Sequence, residues 1–493
     1  MVTVQALVSA AALVVEILAG RMLAPYVGMS IYTWTAVIAV VLAGLSVGHW
    51  VGGLLAQKPR RNSLGLTAVC LGFASLTTAL TLVFLRWFSA GILSNAPGPG
   101  AAILTLATIV VFLPSFFAGT PAPVLARAAV DLKPGAEGKA LGAIFAAGSI
   151  GAIAGTLATG FVFIAWLGTS ITIVAVALLY AALAVVLAIA AGQKRYHIAV
   201  ICSLLAAAAL CAYNLTAQPV CTKESRYYCI RILDFTGQVG APAKLMVLDH
   251  LGHGINVAGH PGQLVTPYVA LIDNVITKRL GGKPRSSFFI GGGAYTLPRA
   301  WLAAEPQARI TVSEIDPDVT LLARKEMWLQ DTGMTVVHQD ARIALRHSPG
   351  QYQVIIGDAF TDIAVPAHLV TLEFFQLVRS KLARDGIYAM NVVDHSGRTA
   401  AMLSVYRTLR AAFDNVEVVV EEGDLASGGR TTFVLFASAL PSGLTRLIDA
   451  NDSDRTFVWL APQRLQDLAL KLDVPLLTDD YSPIDRLVAI GEL

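Results

Sequence analysis

Three glycines, Gly291–Gly293, follow the apolar run SSFFI, and four widely spaced carboxylates come after them: Glu314, Asp340, Asp358 and Asp362. A glycine turn at the end of a strand lets the backbone approach a ligand closely. Glu314 closes the next apolar run, RITVSEI, 21 residues beyond Gly293. An acid at that distance accepts hydrogen bonds from ribose hydroxyls. The full G-x-G-x-x-G pattern is absent because position 296 is Thr. A nucleoside without a pyrophosphate therefore suits the turn better than NAD does. Asp340 follows TVVHQ, where a carboxylate can accept from an adenine amino group. It reads as well as the N-cap of a helix over ARIALR, and the two roles are compatible. Asp358 closes YQVIIGDAF and is the candidate general base for an amine nucleophile. Asp362, four residues on, is a second carboxylate or a loop cap, with nothing to separate the two.

These residues need strands that end together. SSFFI, RITVSEI, TVVHQ, YQVIIGDAF and GIYAMNVV read as strands. They alternate with helices over GGGAYTLPRAWLAA, DPDVTLLARKEMWL (capped near Asp316) and VTLEFFQLVRSKL (ended by Asp385-Gly386). VEVVV and TTFVLFA follow as later strands. Such alternation implies an α/β domain on a parallel, doubly wound sheet, whose ligands lie outside the carboxyl ends of the strands. Ahead of it, RYYCIRIL, KLMVLDH and GINV read as a small β-sheet with glycine turns. His250, His253 and His260 lie there without a matching carboxylate–histidine set, so no metal site is expected.

The N-terminal part is of another kind. The chain has 493 residues, 55% hydrophobic and 14% charged; soluble domains carry about 25% charged residues. Residues 1–215 hold ten Lys/Arg and three Asp/Glu, against 26 and 30 in the remainder. Neither part has the dense basic patch of a nucleic-acid binder. Apolar stretches near 3–20, 31–56, 64–85, 101–118, 139–165, 169–191 and 197–213 are long enough to cross a bilayer. The last is the weakest, so six or seven spans are expected. The first, with no basic flank before it, does not read as a cleaved signal. Gly151 and Gly155 have GxxxG spacing, read as packing inside one bundle. Arg21 reads as lying at the interface and Glu16 as pairing with it or with another helix, a structural role ahead of a transport one. Lys58, Arg60, Arg61, Arg127, Lys133, Lys139, Lys194 and Arg195 lie in alternate loops, which the positive-inside rule assigns to the cytoplasm. The expected domains are a membrane bundle over 1–215, a small β-domain over 216–280 and a Rossmann-like domain over 281–493.

The pieces GGGAY, VSEIDPDV, HQDARIAL and YQVIIGDAF, in that order, resemble the spermidine synthase (aminopropyltransferase) family, within the S-adenosylmethionine-using Rossmann-like enzymes. EILAGRMLAPYVG, VGHWVGGLLAQKPRRN and DAF…VPAHLVTLEFF resemble bacterial proteins that fuse such a domain to a major-facilitator-like membrane bundle. The resemblance implies a transferase that uses S-adenosylmethionine or its decarboxylated form. Gly291, Gly292, Gly293, Glu314, Ile315, Asp340 and Ala341 would hold the cofactor, and Asp358 would be catalytic. Tyr268, Asp362, Tyr481 and Tyr227 would line the amine site. Two departures stand out: Ala294 replaces an aspartate, and GQLVTPYVALID has lost diamine-binding acids. They leave open a methyltransferase or a donor-cleaving enzyme, and, outside catalysis, a nucleoside-sensing transport module. The implied partners are an amine or membrane-delivered acceptor, the lipid bilayer and a second copy in a homodimer, with no nucleic acid.

The implied place is the bacterial inner membrane. Seven spans put the soluble domain outside the cytoplasm, and Cys221 and Cys229, which flank ESRYY, suit a disulfide there. A reduced pair and a cytoplasmic domain, nearer the donor supply, form the alternative.

Overall fold

The computed structural model describes residues 1–132, 134–359, 365–427 and 429–489. The chain divides into two compact units, Met1–Cys229 and Ile230–Leu493.

Among the described residues of the first unit, seven helices are long and apolar enough to cross a membrane. They are α1 (Val2–Val27), α2 (Ile31–Ala56), α3 (Arg60–Asn95), α4 (Pro99–Asp131), α5 (Glu137–Trp166), α6 (Gly168–Ala191) and α7 (Lys194–Thr216). The weakest expected span, α7, is a 23-residue helix, about 34 Å long at 1.5 Å per residue. That exceeds a hydrocarbon core of about 30 Å. Small residues set the helix contacts. A Cβ at Gly151 or Gly155 of α5 would fall 2.0 or 2.4 Å from the carbonyl oxygens of Ala6 and Ala10 on α1. At a second stripe, Gly44, Gly48 and Gly52 on α2, a Cβ would fall 2.8, 2.2 and 2.4 Å from the carbonyl oxygens of Phe112, Phe116 and Thr120 on α4. The outer face of α5 exposes Phe145, Ile150, Ile153, Leu157, Phe161 and Trp166, side chains suited to lipid rather than water.

Two expectations change here. Arg21 does not pair with Glu16: its Nη1 and Nη2 donate to the carbonyls of Tyr227 and Ser225, at 2.8 and 2.6 Å. Arg127 is not in a loop, because α4 continues past Thr120 through Asp131 and pairs the two residues one turn apart. Lys133 lies outside the described residues. Cys221 and Cys229 are joined by a disulfide. Within the eight-residue separation they close, Ser225 Oγ accepts the N–H groups of Tyr227 and Tyr228.

The second unit opens with antiparallel strands β1 (Cys229–Asp234), β2 (Ala243–Leu248) and β3 (Leu251–Val257), followed by α8 (Pro267–Leu280). The main sheet then forms from β4 (Ser286–Ile290), β5 (Arg309–Ser313), β6 (Met334–Val337), β7 (Tyr352–Gly357), β8 (Leu382–His395), β9 (Asn415–Glu421), β10 (Arg430–Ser438), β11 (Arg446–Asp449) and β12 (Asp452–Trp459). The helices that matter for the site are α9 (Thr296–Ala304), α10 (Pro317–Glu326), α11 (Ala341–His347), α12 (Leu372–Lys381) and α13 (Ala400–Ala412). The strand order is β11-β12-β9-β10-β8-β7-β4-β5-β6. Neighbours from β6 to β8 are parallel, and β10, β9, β12 and β11 add antiparallel pairings. The sheet is thus mixed, a Rossmann-like arrangement of the methyltransferase type. Chain direction reverses its spread between β4 and β7, which makes that crevice the ligand position.

All five residues of β4 are buried, as expected for a central strand covered on both faces. The helix before β8 stops at Lys381 rather than at Asp385-Gly386. Those two residues lie in β8, where Tyr352 pairs Leu382 but Val354 pairs Ile387, so the extra residues bulge from the strand.

Candidate active site

The glycine turn is shaped by its neighbours. Gly291 has φ 93°, and a Cβ there would fall 2.3 Å from the Asp358 carbonyl oxygen. Only glycine lets the β4 and β7 ends approach this closely. Gly291 N–H donates to Ser313 and Asp358 N–H to Ile290, both at 2.9 Å, tying the ends of β4, β5 and β7 together.

Glu314 lies at the end of β5, 5% exposed. Its Oε2 accepts from the amides of Gly292 and Gly293 at 2.8 and 3.2 Å, and its Oε1 from Asp316 N–H at 2.9 Å. Burial pushes its carboxyl above the usual range, and the three amides oppose that rise. Glu314 therefore fastens the glycine turn to the next strand. An ionised carboxylate offers about four acceptor positions, so room for a further donor remains. Ile315 beside it is 38% exposed.

Asp340 caps α11, accepting from Ile343 N–H at 3.0 Å. Its other oxygen lies 2.8 Å from His368 Nε2. Ala341 is buried beneath it. Arg342 holds Asp479 through two bonds of 2.7 and 2.6 Å. This pins the Thr478–Tyr481 turn to the start of α11 and carries Tyr481, 53% exposed, to the Asp340 side.

Asp358 and Tyr268 come together. The Tyr268 hydroxyl donates to Asp358 Oδ2 at 3.1 Å, with Oδ1 at 3.4 Å. Burial pushes the Asp358 carboxyl up to about 6, although hydrogen bonds from Tyr268 and Asn391 favour its charged form. The Tyr268 hydroxyl is held well above its ordinary value by burial and by the Asp358 charge. A carboxylate poised near neutrality, with its proton acceptor fixed by a phenol, can take a proton from an incoming amine.

Asp362 lies outside the described residues. Tyr227 belongs to the first unit, 44% exposed.

Sequence reasoning missed three supporting side chains. Asn391 is 2% exposed on β8 and hydrogen-bonds Asp358; its signal was one polar residue inside IYAMNVV. Asn256 on β3 donates to the carbonyls of Ala294 and Met327, at 2.8 and 3.0 Å, and so braces the glycine turn from the small sheet. His368 meets Asp340 from a segment distant in sequence, which spacing alone does not reveal.

The departures also have structural form. Ala294 is 1% exposed and brings no charge. Asp273, the acid within GQLVTPYVALID, is taken by Lys283 at 2.6 and 2.7 Å and by the Trp301 indole N–H at 2.7 Å.

Residues 275–440 match the spermine/spermidine synthase domain family. A polyamine aminopropyltransferase of Vibrio vulnificus is 28% identical over 211 residues, 42% of this chain and 70% of that protein. Polyamine aminopropyltransferase 1 of Streptomyces coelicolor is 24% identical over 442 residues, 83% of this chain and 78% of that one. The crystal structure of a probable spermidine synthase from Corynebacterium glutamicum superposes with a TM-score of 0.46 at 22% identity, covering 54% of this chain and 98% of that one. The C-terminal part of this chain is a spermine/spermidine synthase domain and the chain a transferase, with seven apolar helices ahead of that domain.

Proposed function

We propose that the protein is a membrane-bound transferase that binds an adenosine-containing sulfonium donor, S-adenosylmethionine or its decarboxylated form, and alkylates an amine acceptor. The observation that carries this is the Tyr268–Asp358 pair at the end of β7, beside the glycine turn. Glu314 with Ile315 takes the ribose side, and Asp340 with Ala341 the adenine side. The sulfonium supplies an already activated leaving group. The protein's work is to hold the acceptor in line and to remove its proton. Asp358 accepts that proton, and Tyr268 and Asn391 fix the direction its carboxylate faces. Tyr481 is assigned to the acceptor side by resemblance alone.

Methyl transfer is a second reading. Ala294 and the engaged Asp273 leave few carboxylates for a polyamine dication. A 31% match over 133 residues to an N-terminal histidine N-methyltransferase of Emericella nidulans runs in the same direction. Incubation of the purified chain with each donor, followed by mass spectrometry of the nucleoside products, separates the readings. Methylthioadenosine marks aminopropyl transfer or donor cleavage, and adenosylhomocysteine marks methyl transfer. Absence of both from either donor, with amines supplied, contradicts the proposal.

For placement, we read the chain as a multi-pass protein of the bacterial inner membrane with its soluble unit outside the cytoplasm. Lys58, Arg60 and Arg61 join α2 to α3, Lys139 opens α5 after the α4 connection, and Lys194 and Arg195 open α7. These are alternate connections, and seven crossings leave the remainder of the chain on the opposite side. The Cys221–Cys229 disulfide suits that side.

A further inference from the structure

Asp340 is held from two directions. Its Oδ1 accepts Ile343 N–H at 3.0 Å, and its Oδ2 lies 2.8 Å from His368 Nε2. A ring nitrogen that faces a carboxylate carries a proton and donates it. One donor on each oxygen fixes the plane of the carboxylate. An ionised carboxylate offers about four acceptor positions, so each oxygen keeps one open, and the side chain is 27% exposed. Those open positions meet whatever base lies at the end of β6.

His368 reaches Asp340 because two distant segments are strapped together. It lies in the single turn Ala367–Leu369. Arg342 of α11 donates to the His368 carbonyl at 3.2 Å as well as to Asp479 at 2.7 Å. The Ser482 hydroxyl donates to the Ala367 carbonyl at 3.2 Å, and Leu372 N–H to the Leu477 carbonyl at 2.8 Å. The Thr371 hydroxyl donates to Asp479 Oδ1 at 2.7 Å, and Asp479 N–H to Glu373 Oε2 at 3.0 Å. Residues 477–482 thus fasten the 366–372 segment to the start of α11, with His368 on Asp340. The surroundings are apolar. Glu314 N–H donates to the Val337 carbonyl at 3.1 Å and the Ser313 hydroxyl to the Gln339 carbonyl at 2.8 Å, which brings Ile315 beside the end of β6. Ile315 and Ile343 are both exposed, and such side chains beside a carboxylate suit a flat ring with one polar edge.

A fixed carboxylate chooses between purines. A 6-aminopurine presents a donor at position 6, whereas a 6-oxopurine presents an acceptor there and its donor at N1. A carboxylate free to turn can accept from either position. One held on both oxygens accepts from the amino group and meets a carbonyl oxygen with repulsion. We propose that His368 is a positioning residue that sets base selectivity: by donating to Asp340 it holds the carboxylate where it accepts from the 6-amino group of adenine and rejects a 6-oxopurine. The inference rests on the nucleoside reading given above and adds to it the residue that selects the base.

Calorimetry on the full chain in detergent, with methylthioadenosine and methylthioinosine as separate ligands, tests it. The unmodified chain is expected to bind the inosine compound at least about tenfold more weakly. In His368→Ala that ratio falls toward one, because the carboxylate can then turn to the N1 donor. In His368→Gln, whose side-chain amide can donate to the same oxygen, the ratio is kept. His368 is half-exposed, so neither substitution opens a cavity, and a purely structural role would lower both affinities together and leave the ratio alone. A ratio near one in the unmodified chain, or a ratio unchanged in His368→Ala, with methylthioadenosine still bound, overturns this inference alone. Failure of the unmodified chain to bind methylthioadenosine overturns the nucleoside reading and this inference with it.

Discussion

Asp358 shows how far residue type and position carry an argument, and where contact has to take over. Its place at a strand end marked it as a base. Its poise near 6 comes from burial, with hydrogen bonds from Tyr268 and Asn391 limiting the rise by favouring the charged form. Neither partner is near it in sequence. Removing the phenol's hydrogen bond in Tyr268→Phe takes away a group that favours the carboxylate. The acid limb of the rate profile is therefore expected to move to higher pH, as read from initial rates between pH 5 and 8; an unmoved limb breaks the link between the two residues. Glu314 behaves differently from the expectation drawn from spacing alone. Three backbone amides already engage it, so Glu314→Ala loosens the turn as well as the ribose contact. One lost charge-assisted hydrogen bond is worth roughly 1.5–3 kcal/mol, so methylthioadenosine affinity should drop at least about tenfold by calorimetry. Unchanged affinity would remove Glu314 from the site. Putrescine is expected to be a poor acceptor, since a buried dication without carboxylate partners bears a desolvation penalty and Asp273 is already committed to Lys283. Efficient spermidine formation at micromolar putrescine would contradict that.

At the scale of elements, hydrophobic pattern located the strands of the parallel core because each is short, apolar and closed by a polar or glycine turn. It did not reveal strand direction. β10 and β9 read as ordinary later strands, yet they pair antiparallel, a choice made by the connections rather than by side chains. β11 and β12 carry polar residues along an edge and gave little signal. The end of α12 was misplaced because Asp385-Gly386 reads as a helix stop, while the same pair also suits a bulge. In the first unit the α5 glycines were legible as packing, and the matching stripe on α2 was overlooked although its four-residue spacing is the same. The close α1–α5 contact makes a specific demand. Gly151→Leu would drive a side chain into the Ala6 carbonyl, 2.0 Å from the first added carbon. Overpacking of this kind costs roughly 1–3 kcal/mol, seen as a lower unfolding temperature in detergent. An unchanged temperature would mean that α1 and α5 do not pack this way.

For the whole molecule, the sequence reads as a charge-poor helical part followed by a part of ordinary charge content, since 13 charged residues in the first 215 cannot cover a water-exposed surface. On the side of the membrane it leans outward, with loop charge and the Cys221 and Cys229 pair set against donor supply. The placement proposed above, with the second unit outside, draws on the disulfide and the seventh helix. An alkaline phosphatase fused after the soluble unit should therefore be active, and an inactive fusion with free thiols at Cys221 and Cys229 would reverse the placement. The claim on which all of this depends is chemical: a donor nucleoside is consumed with Asp358 as the base. The most direct test is the rate of nucleoside product formation against pH, measured by mass spectrometry on the purified chain and on Asp358→Asn. The base works deprotonated, so the rate should rise through a midpoint near 6 and reach a plateau above it. Asp358→Asn should be slower by about 10²–10⁴-fold. A rate that is flat from pH 5 to 8, or that survives in Asp358→Asn, would contradict the account.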